Sequence, residues 1–349
     1  MRAKINDVAD LAGVSIKTVS RVLNNEPNVR PETREKVRVA VSELRYVPSV
    51  SARSLAGQRS YMFAMFYDTA SEGYLSRFQK GALEACRRAN YHLIVEQCSV
   101  GATETVDHLV VTATQLRVDG VLLLPPVGDT EHIVERFADL NIPAALIAPG
   151  GETFGMPSVR MDDIAASAEL TTFLIDQGHR RIGFIKGHPD HGATILRLNG
   201  YLTALKQAGI EPEEALVRPG DFTLLSGLEP ARELLSMASP PSAIFASNDD
   251  MAAAVIRVAA ERGLQVPEEL SVVGFDDALI ASATVPPLTT VRQPIESMAA
   301  AAIQELLVAA DRTGCRPPAS RDDLSFDHEL IHRESASYGP NYNQESGSD

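Results

Sequence analysis

The chain has 349 residues, 44% of them apolar, and a formal net charge of −14 at pH 7, which is too long for one small domain and apolar enough to bury sizeable cores. Its three cysteines, Cys86, Cys98 and Cys315, stand far apart without a Cys-x-x-Cys pair, which suits a reducing cytosol and argues against a disulfide scaffold or a zinc site. The first residues hold no apolar signal core and "GVLLLPP" is about the longest apolar run, so a cytoplasmic protein with no membrane attachment is expected.

Charge is unevenly spread along the chain. Residues 1–59 hold 11 Lys+Arg against 6 Asp+Glu, a balance of +5, and the remainder carries −19. A basic head on an acidic body points to a polyanion met by the head alone; an ordinary solvated charged face is the alternative. Within "DVADLAGVSIKTVSRVLNN", and from Ile5 just before it, Ile5, Val8, Ala9 and Ala12 share one face of a first helix. Gly13 falls where the chain must turn sharply, and glycine takes a positive φ there without penalty. Ser15 is placed to cap a second helix, its hydroxyl accepting from the Thr18 amide. Val19, Val22 and Leu23 return an apolar stripe to the first helix, and the small Ala9 allows close approach. The pattern predicts a helix-turn-helix whose second helix enters the major groove.

A third helix opens at Pro31 and carries Val37, Ala40, Val41 and Leu44 on its buried side. Together, "TVSRVLN", "TREKVRVAVSELRYVPS" and "ARSLAGQRS" stand in an order and spacing that resembles the lac-repressor family of transcription regulators, and the likeness covers almost the whole chain. The resemblance implies base reading by Ile16, Lys17 and Arg21; a Lys or Arg suits guanine O6/N7, and Ile16 suits a thymine methyl. Ser15, Thr18, Ser20, Asn24 and Arg30 are then placed for phosphates, which fix register without reading sequence. For Arg21, a phosphate contact or an intramolecular pair is the alternative. Val47–Ala56 corresponds to the family's hinge helix. There Pro48 starts the helix, Ser51 and Ala52 let two copies pack side by side, and Leu55 matches the leucine that wedges into the minor groove. Ten residues alone make a marginal helix.

From Tyr61 onward short apolar runs alternate with amphipathic stretches. "YMFAMFY", "HLIVEQ", "GVLLLPP", "AALIAP", "RIGFIKG", "AIFAS" and "LSVVGFD" read as strands, and Leu75–Ala89 as a helix. Continuous apolarity predicts parallel sheets covered on both faces. The expected fold is thus a small all-α helix-turn-helix domain (1–46), a hinge helix and linker (47–59), then an α/β effector-binding domain (60–333) of two doubly wound parallel-sheet subdomains with a ligand cleft. The resemblance implies an N-subdomain of about 60–161 and 293–322 and a C-subdomain of about 162–292 and 323–333. The polar stretch 334–349 is expected to be a disordered tail.

Candidate ligand residues lie where strands end and helices begin. Arg197, Asn248 and Asp276 match the family's effector-contacting Arg, Asn and Asp, with Phe222 at the position of the stacking aromatic and Gln293 beside them. Tyr74, and Phe66 or Tyr67, are candidates for the opposite wall. A carboxylate and a guanidinium grip adjacent hydroxyls, an amide serves as mixed donor and acceptor, and an aromatic face covers C–H groups, which fits a sugar. Helix capping is the alternative for Asp276 and Asn248, and plain core for Phe222. Asp249-Asp250 and Asp276-Asp277 point apart on strand-to-helix turns and read as caps, and His188 with His191 gives only a weak metal motif. No Walker loop, G-x-G-x-x-G or G-x-S-x-G is present.

The resulting expectation is a non-enzymatic, cofactor-free regulator that binds near-palindromic operator DNA as a homodimer under control of a sugar or glycoside effector. A dimer is favoured because one helix-turn-helix and one hinge helix per chain require two-fold pairing on a near-palindrome, and the leucine heptad helix that ends tetrameric relatives is not seen. Two rivals stand beside it: a purine- or other metabolite-responsive co-repressor type, and a sugar receptor that binds no DNA.

Overall fold

The computed structural model describes residues 3–23, 28–46, 59–68, 71–101, 105–311 and 324–340. The expected sites at Asn24, Ser51, Ala52 and Leu55, with the rest of the hinge, lie outside the described residues. The chain divides into two compact units, Met1–Tyr61 and Met62–Asp349.

The first unit holds α1 (Ile5–Ala12), α2 (Ile16–Leu23) and α3 (Pro31–Glu43). Gly13 takes a φ of 66° between α1 and α2. The Thr18 amide donates to Ser15 Oγ at 3.2 Å and to the Ser15 carbonyl at 2.9 Å, so the hydroxyl shares in capping α2. Val8, Ala9, Val19, Val22, Val37, Ala40 and Tyr46 close the core. Each helix supplies two of these side chains, so no helix can leave without opening the whole. A core this small is inherently marginal.

In the second unit, two sheets repeat one design. The first runs β1 (Met62–Tyr67), β2 (His92–Gln97), β3 (Gly120–Leu123), β4 (Ala144–Ile147), β5 (Ser158–Met161) and β11 (Leu324–Phe326), in the order β11-β5-β4-β3-β1-β2. The second runs β6 (Ile182–Ile185), β7 (Val217–Arg218), β8 (Ala243–Ala246), β9 (Ser271–Asp276), β10 (Thr289–Arg292) and β12 (Glu329–Ile331), in the order β12-β10-β9-β8-β6-β7. All described pairings are parallel except β10 with β12. Central strands β3, β4, β6 and β8 are buried at every position, as two-sided cover demands. The edge strands β2, β7, β11 and β12 differ, with no buried position among them.

Helices cover both faces of each sheet. On the first they are α4 (Glu72–Arg88), α5 (Thr105–Gln115), α6 (Glu131–Asp139) and α12 (Ile295–Asp311). On the second they are α7 (Asp163–Asp176), α8 (Gly192–Gln207), α9 (Leu224–Leu235), α10 (Asp249–Glu261) and the short α11 (Leu279–Ala283). The chain passes between sheets between β5 and α7, between β10 and α12, and between β11 and β12. The last passage corrects the expected boundary, since 324–326 pair with β5 and belong to the N-subdomain.

The expected tail also begins later than residue 334. Ser335 Oγ donates to the Val272 carbonyl at 2.6 Å and accepts from the Thr289 amide at 2.8 Å. The Ser337 carbonyl lies 3.0 Å from His179 Nε2, and Gly339 N donates to the Gln177 carbonyl at 2.7 Å. Backbone groups along β9 and β10 thus find partners in a polar segment whose composition alone suggested no structure.

Candidate functional site

Each unit carries a candidate surface of its own. On the helical unit, Lys17 and Arg21 lie one turn apart on the exposed side of α2, and Ile16 is 48% exposed at its first turn. An isoleucine left open at a helix N-terminus gains nothing for the fold. Ser15 and Thr18 bond to each other at 2.9 Å beside it, Ser20 is partly buried, and Arg30 is exposed before α3.

The second unit holds a pocket of about 520 Å³, mouth included. Its walls are built where strands end. Leu124 and Pro125 follow β3, Ala148 follows β4, and Ser71 and Tyr74 open α4 after β1. From the other sheet come His191, Ala193 and Arg197 at the start of α8 after β6, Phe222 after β7, Asn248 after β8, and Asp276 at the end of β9, with Gln293 in the passage after β10. Parallel sheets leave their carboxyl ends free for ligands, and here two such ends face each other.

Arg197 is buried at the centre of the polar wall. Its Nε donates to Asp163 at 2.7 Å, its Nη1 to the Ser247 carbonyl at 2.6 Å, and its Nη1 stands 3.8 Å from Asp276 Oδ1. The guanidinium lies 3.8 Å above the Phe275 ring, a stacked cation–π arrangement that fixes its plane. Gln293 Nε2 donates to Asp276 Oδ1 at 2.5 Å. Burial pushes the Asp276 carboxyl up to about 6, against the opposing pull of Arg197 and Gln293. Asp276 and Asp277 take φ values of 113° and 53°, strained for residues with a Cβ. Arg77 helps to hold the strained turn by donating to the Asp276 carbonyl at 2.8 Å. Asp277 turns away from the pocket to Arg292 and Arg333, at 2.7 and 2.5 Å.

Asn248 caps α10 by accepting from the Met251 amide at 3.0 Å, and donates to the Phe222 carbonyl at 2.8 Å. It performs the capping role that was its alternative and lines the pocket as well. Phe222, at a φ of 70°, lays its ring over Gly187, where any added Cβ would fall 1.9 Å from the ring. Asp249 accepts from Thr290 Oγ1 at 2.6 Å and from the Ala278 amide at 2.7 Å. Burial and the charge of Asp276 hold its carboxyl well above the usual carboxylate range. Burial, aided by Asp276 and Asp163, likewise raises the Tyr74 phenol above its ordinary value.

The opposite wall departs from the expectation. Tyr74 lines it, but Phe66 is fully buried in the core of the first sheet, its ring 6.2 Å from Phe137. Strand β1 supplies no side chain to the described lining, and four of its six residues, Phe66 among them, are buried. Tyr67 is outside the pocket lining, and its carbonyl accepts from the Cys98 amide at 2.8 Å. His188 and His191 sit 5.4 Å apart, and no cluster able to hold a metal ion occurs among the described residues.

Three contacts escaped the sequence reading. Asp163, at the start of α7, is the buried partner of Arg197. Ser71 Oγ donates to Asp250 Oδ2 at 2.6 Å, tying the two sheets' helices at one flank. At the other flank Asp129 accepts from the amides of Gly150 at 2.6 Å and Gly192 at 2.8 Å. These two glycines touch backbone to backbone, so a Cβ on either would fall 2.3 Å from the other's Cα. Burial raises the Asp129 carboxyl, with both amide bonds opposing.

Comparison with known proteins agrees with both halves. A profile for bacterial regulatory proteins of the lacI family matches residues 4–49, and one for a periplasmic binding protein-like domain matches 171–336. The ribose operon repressor of Escherichia coli K12 is 35% identical over 311 residues, covering 87% of this chain and 92% of that protein. Among solved structures, a transcriptional regulator CelR–cellobiose complex matches with a TM-score of 0.73 at 33% identity, covering 96% of this chain and 100% of the other. A lac repressor dimer bound to operator and an anti-inducer matches with a TM-score of 0.80 at 27% identity, covering 97% and 100%.

Proposed function

The chain belongs to the lacI family of bacterial regulatory proteins and is a DNA-binding transcriptional regulator, not an enzyme; from that premise we propose that it grips a near-palindromic operator as a homodimer and changes its grip when a sugar enters the pocket. The observation that carries the reading is a buried Arg197–Asp276–Asn248–Gln293 set in a chain whose other unit is a helix-turn-helix. In the head, Ile16, Lys17 and Arg21 read base edges, while Ser15, Thr18, Ser20, Asn24 and Arg30 hold the backbone. One reading helix per chain asks for two-fold pairing. Leu279 and Val285, 86% and 88% exposed, are apolar side chains that pairing would cover. Ser51, Ala52 and Leu55 are assigned to the minor groove from sequence alone. No helix among the described residues is long and apolar enough to cross a membrane, and a cytoplasmic location is part of the proposal.

A repressor of the ribose operon and a regulator solved with cellobiose support a sugar as the effector. Hydroxyls would donate to Asp276 and accept from Arg197, with Phe222 against the ring. The Ser71–Asp250 and Asp129–glycine contacts join the two sheets beside the pocket, and a ligand shifts any equilibrium between closed and open forms only by its difference in affinity for them. A coupling of roughly 1–3 kcal/mol is typical. Duplexes selected from random DNA test the reading. A two-fold symmetric consensus whose affinity moves with one sugar is expected. An asymmetric consensus, or affinity blind to every ligand that binds, overturns it.

A further inference from the structure

Arg77 does not line the pocket, yet it meets the backbone of two residues that do. It follows Tyr74 by one turn on α4, a helix of the first sheet, and its side chain is 23% exposed. One edge of the guanidinium faces Glu296 in the first turn of α12. There Nε lies 3.2 and 3.3 Å from the two carboxylate oxygens, and Nη2 lies 2.9 Å from Oε2. The other edge faces carbonyls: Nη1 donates to Asp276 at 2.8 Å and to Asp277 at 3.3 Å, and Nη2 to Gln293 at 3.2 Å. Helices α4 and α12 both cover the first sheet. Asp276 ends β9 of the second, and Gln293 lies in the passage between the two.

The fork has a fixed direction. Gly81, one turn further along α4, leaves no room for a Cβ, which would fall 2.5 Å from the Glu296 carbonyl oxygen and 2.8 Å from its Cα. The two helices therefore meet backbone to backbone beside the ion pair, and Arg77 holds the Glu296 carboxyl below its ordinary range. A planar guanidinium held along one edge by a carboxylate presents its remaining donors in a set direction. Those donors meet a strained turn, with φ values of 113° and 53° at Asp276 and Asp277. Such backbone persists where its surroundings over-determine it. Arg292 and Arg333 hold the Asp277 carboxylate from the second sheet's side, and Arg77 holds the carbonyls from the first. Moving the sheets apart must either break these carbonyl bonds or pull on the turn that presents Asp276 and on its partner Gln293, 2.5 Å away. Resting on the regulator reading above, we propose that Arg77 is the positioning residue that links the pose of the Asp276–Gln293 pair to the spacing of the two sheets. A ligand that touches only that pair is then felt by α4 and α12.

Paired spin labels on the ligand-free full chain test this. They are placed at the exposed Glu135 on α6 and Asn199 on α8 through Glu135→Cys and Asn199→Cys, in a Cys315→Ser background, and diluted with unlabelled chain. Cys86 and Cys98 are buried. Arg77→Lys keeps the charge, but an ammonium cannot serve both edges of the fork. It is expected to raise the population of longer distances over shorter ones by about fivefold, the worth of one hydrogen bond, with the melting temperature near the parent's. Glu296→Gln loosens the orienting edge and is expected to shift the distances the same way by less. An Arg77→Lys distribution identical to the parent's overturns the proposal. So does a lowered melting temperature with the distances unmoved, which would make Arg77 a staple of the fold alone. Should Arg77→Lys fail to fold, Glu296→Gln decides on the same two outcomes. No ligand enters the measurement, so a failure here leaves the sugar reading standing.

Discussion

The helical head and the sugar pocket place their working side chains in opposite ways. Lys17 and Arg21 stand on the exposed side of α2, above a core made of other residues. Arg197, Asp276 and Asn248 are themselves buried, and each also holds the local fold together. The difference teaches which substitutions separate function from folding. On the head, recognition is an added layer and can be stripped away. In the pocket, the atoms that would meet the ligand are the atoms that satisfy one another when it is absent.

The sharpest break of this contrast is Arg197→Ala. It strands Asp163 without its cation in a buried site, and removing one partner of such a pair costs about 3–5 kcal/mol. Thermal or denaturant unfolding of the body is expected to show that loss together with abolished ligand response; full stability would mean that the pair does not hold the wall. Lys17→Ala on the head should do the reverse, losing about 1–3 kcal/mol of discrimination at one base pair while unfolding stays unchanged. Equal weakening on all duplexes would make Lys17 a phosphate contact.

Acidity offers a subtler comparison. A sugar hydroxyl that donates to Asp276 needs the ionised form, and burial lifts that carboxyl to about 6. Lowering the pH from 7.5 to 5 protonates it, so sugar affinity should fall by about tenfold as the ionised fraction falls. Above pH 7 affinity should be flat. Rising affinity on acidification would remove Asp276 as the acceptor. Ser15→Ala is the smallest effect and the one place where the head behaves like the pocket, since the same hydroxyl caps α2. Head stability is expected to drop by about 1 kcal/mol, measured by amide exchange of α1 and α2; an unmoved exchange rate would make the cap dispensable.

Much of this was legible before any coordinates. Gly13 and Ser15 announce a turn and a cap because such chemistry is local, and the buried strands announce themselves by continuous apolarity. The pocket brings together Arg197, Phe222, Asn248, Asp276 and Gln293, all near strand ends where the sheet topology puts ligands. What stayed hidden depends on distant partners. Asp163 looks like any acid in a first helical turn until Arg197, 34 residues on, is seen against it. Asp129 means nothing without Gly150 and Gly192. Phe66 was misassigned to the pocket because an apolar run buried on both faces carries no alternation to show which side chain faces which way. Residues 324–326 were assigned to the wrong sheet because three-residue strands have no pattern of their own, and 334–339 because polar composition says nothing about which carbonyls lie nearby.

Strands β11 and β12 carry a consequence beyond the site. Each completes an outer border, one beside β5 and the other beside β10. A stop codon just ahead of Leu324 would therefore bare two rows of unpaired amides and carbonyls in one stroke. Open borders of that sort invite sticking between copies, so a shortened gene product should come out of the cell as insoluble clumps, not as a regulator that has merely gone deaf.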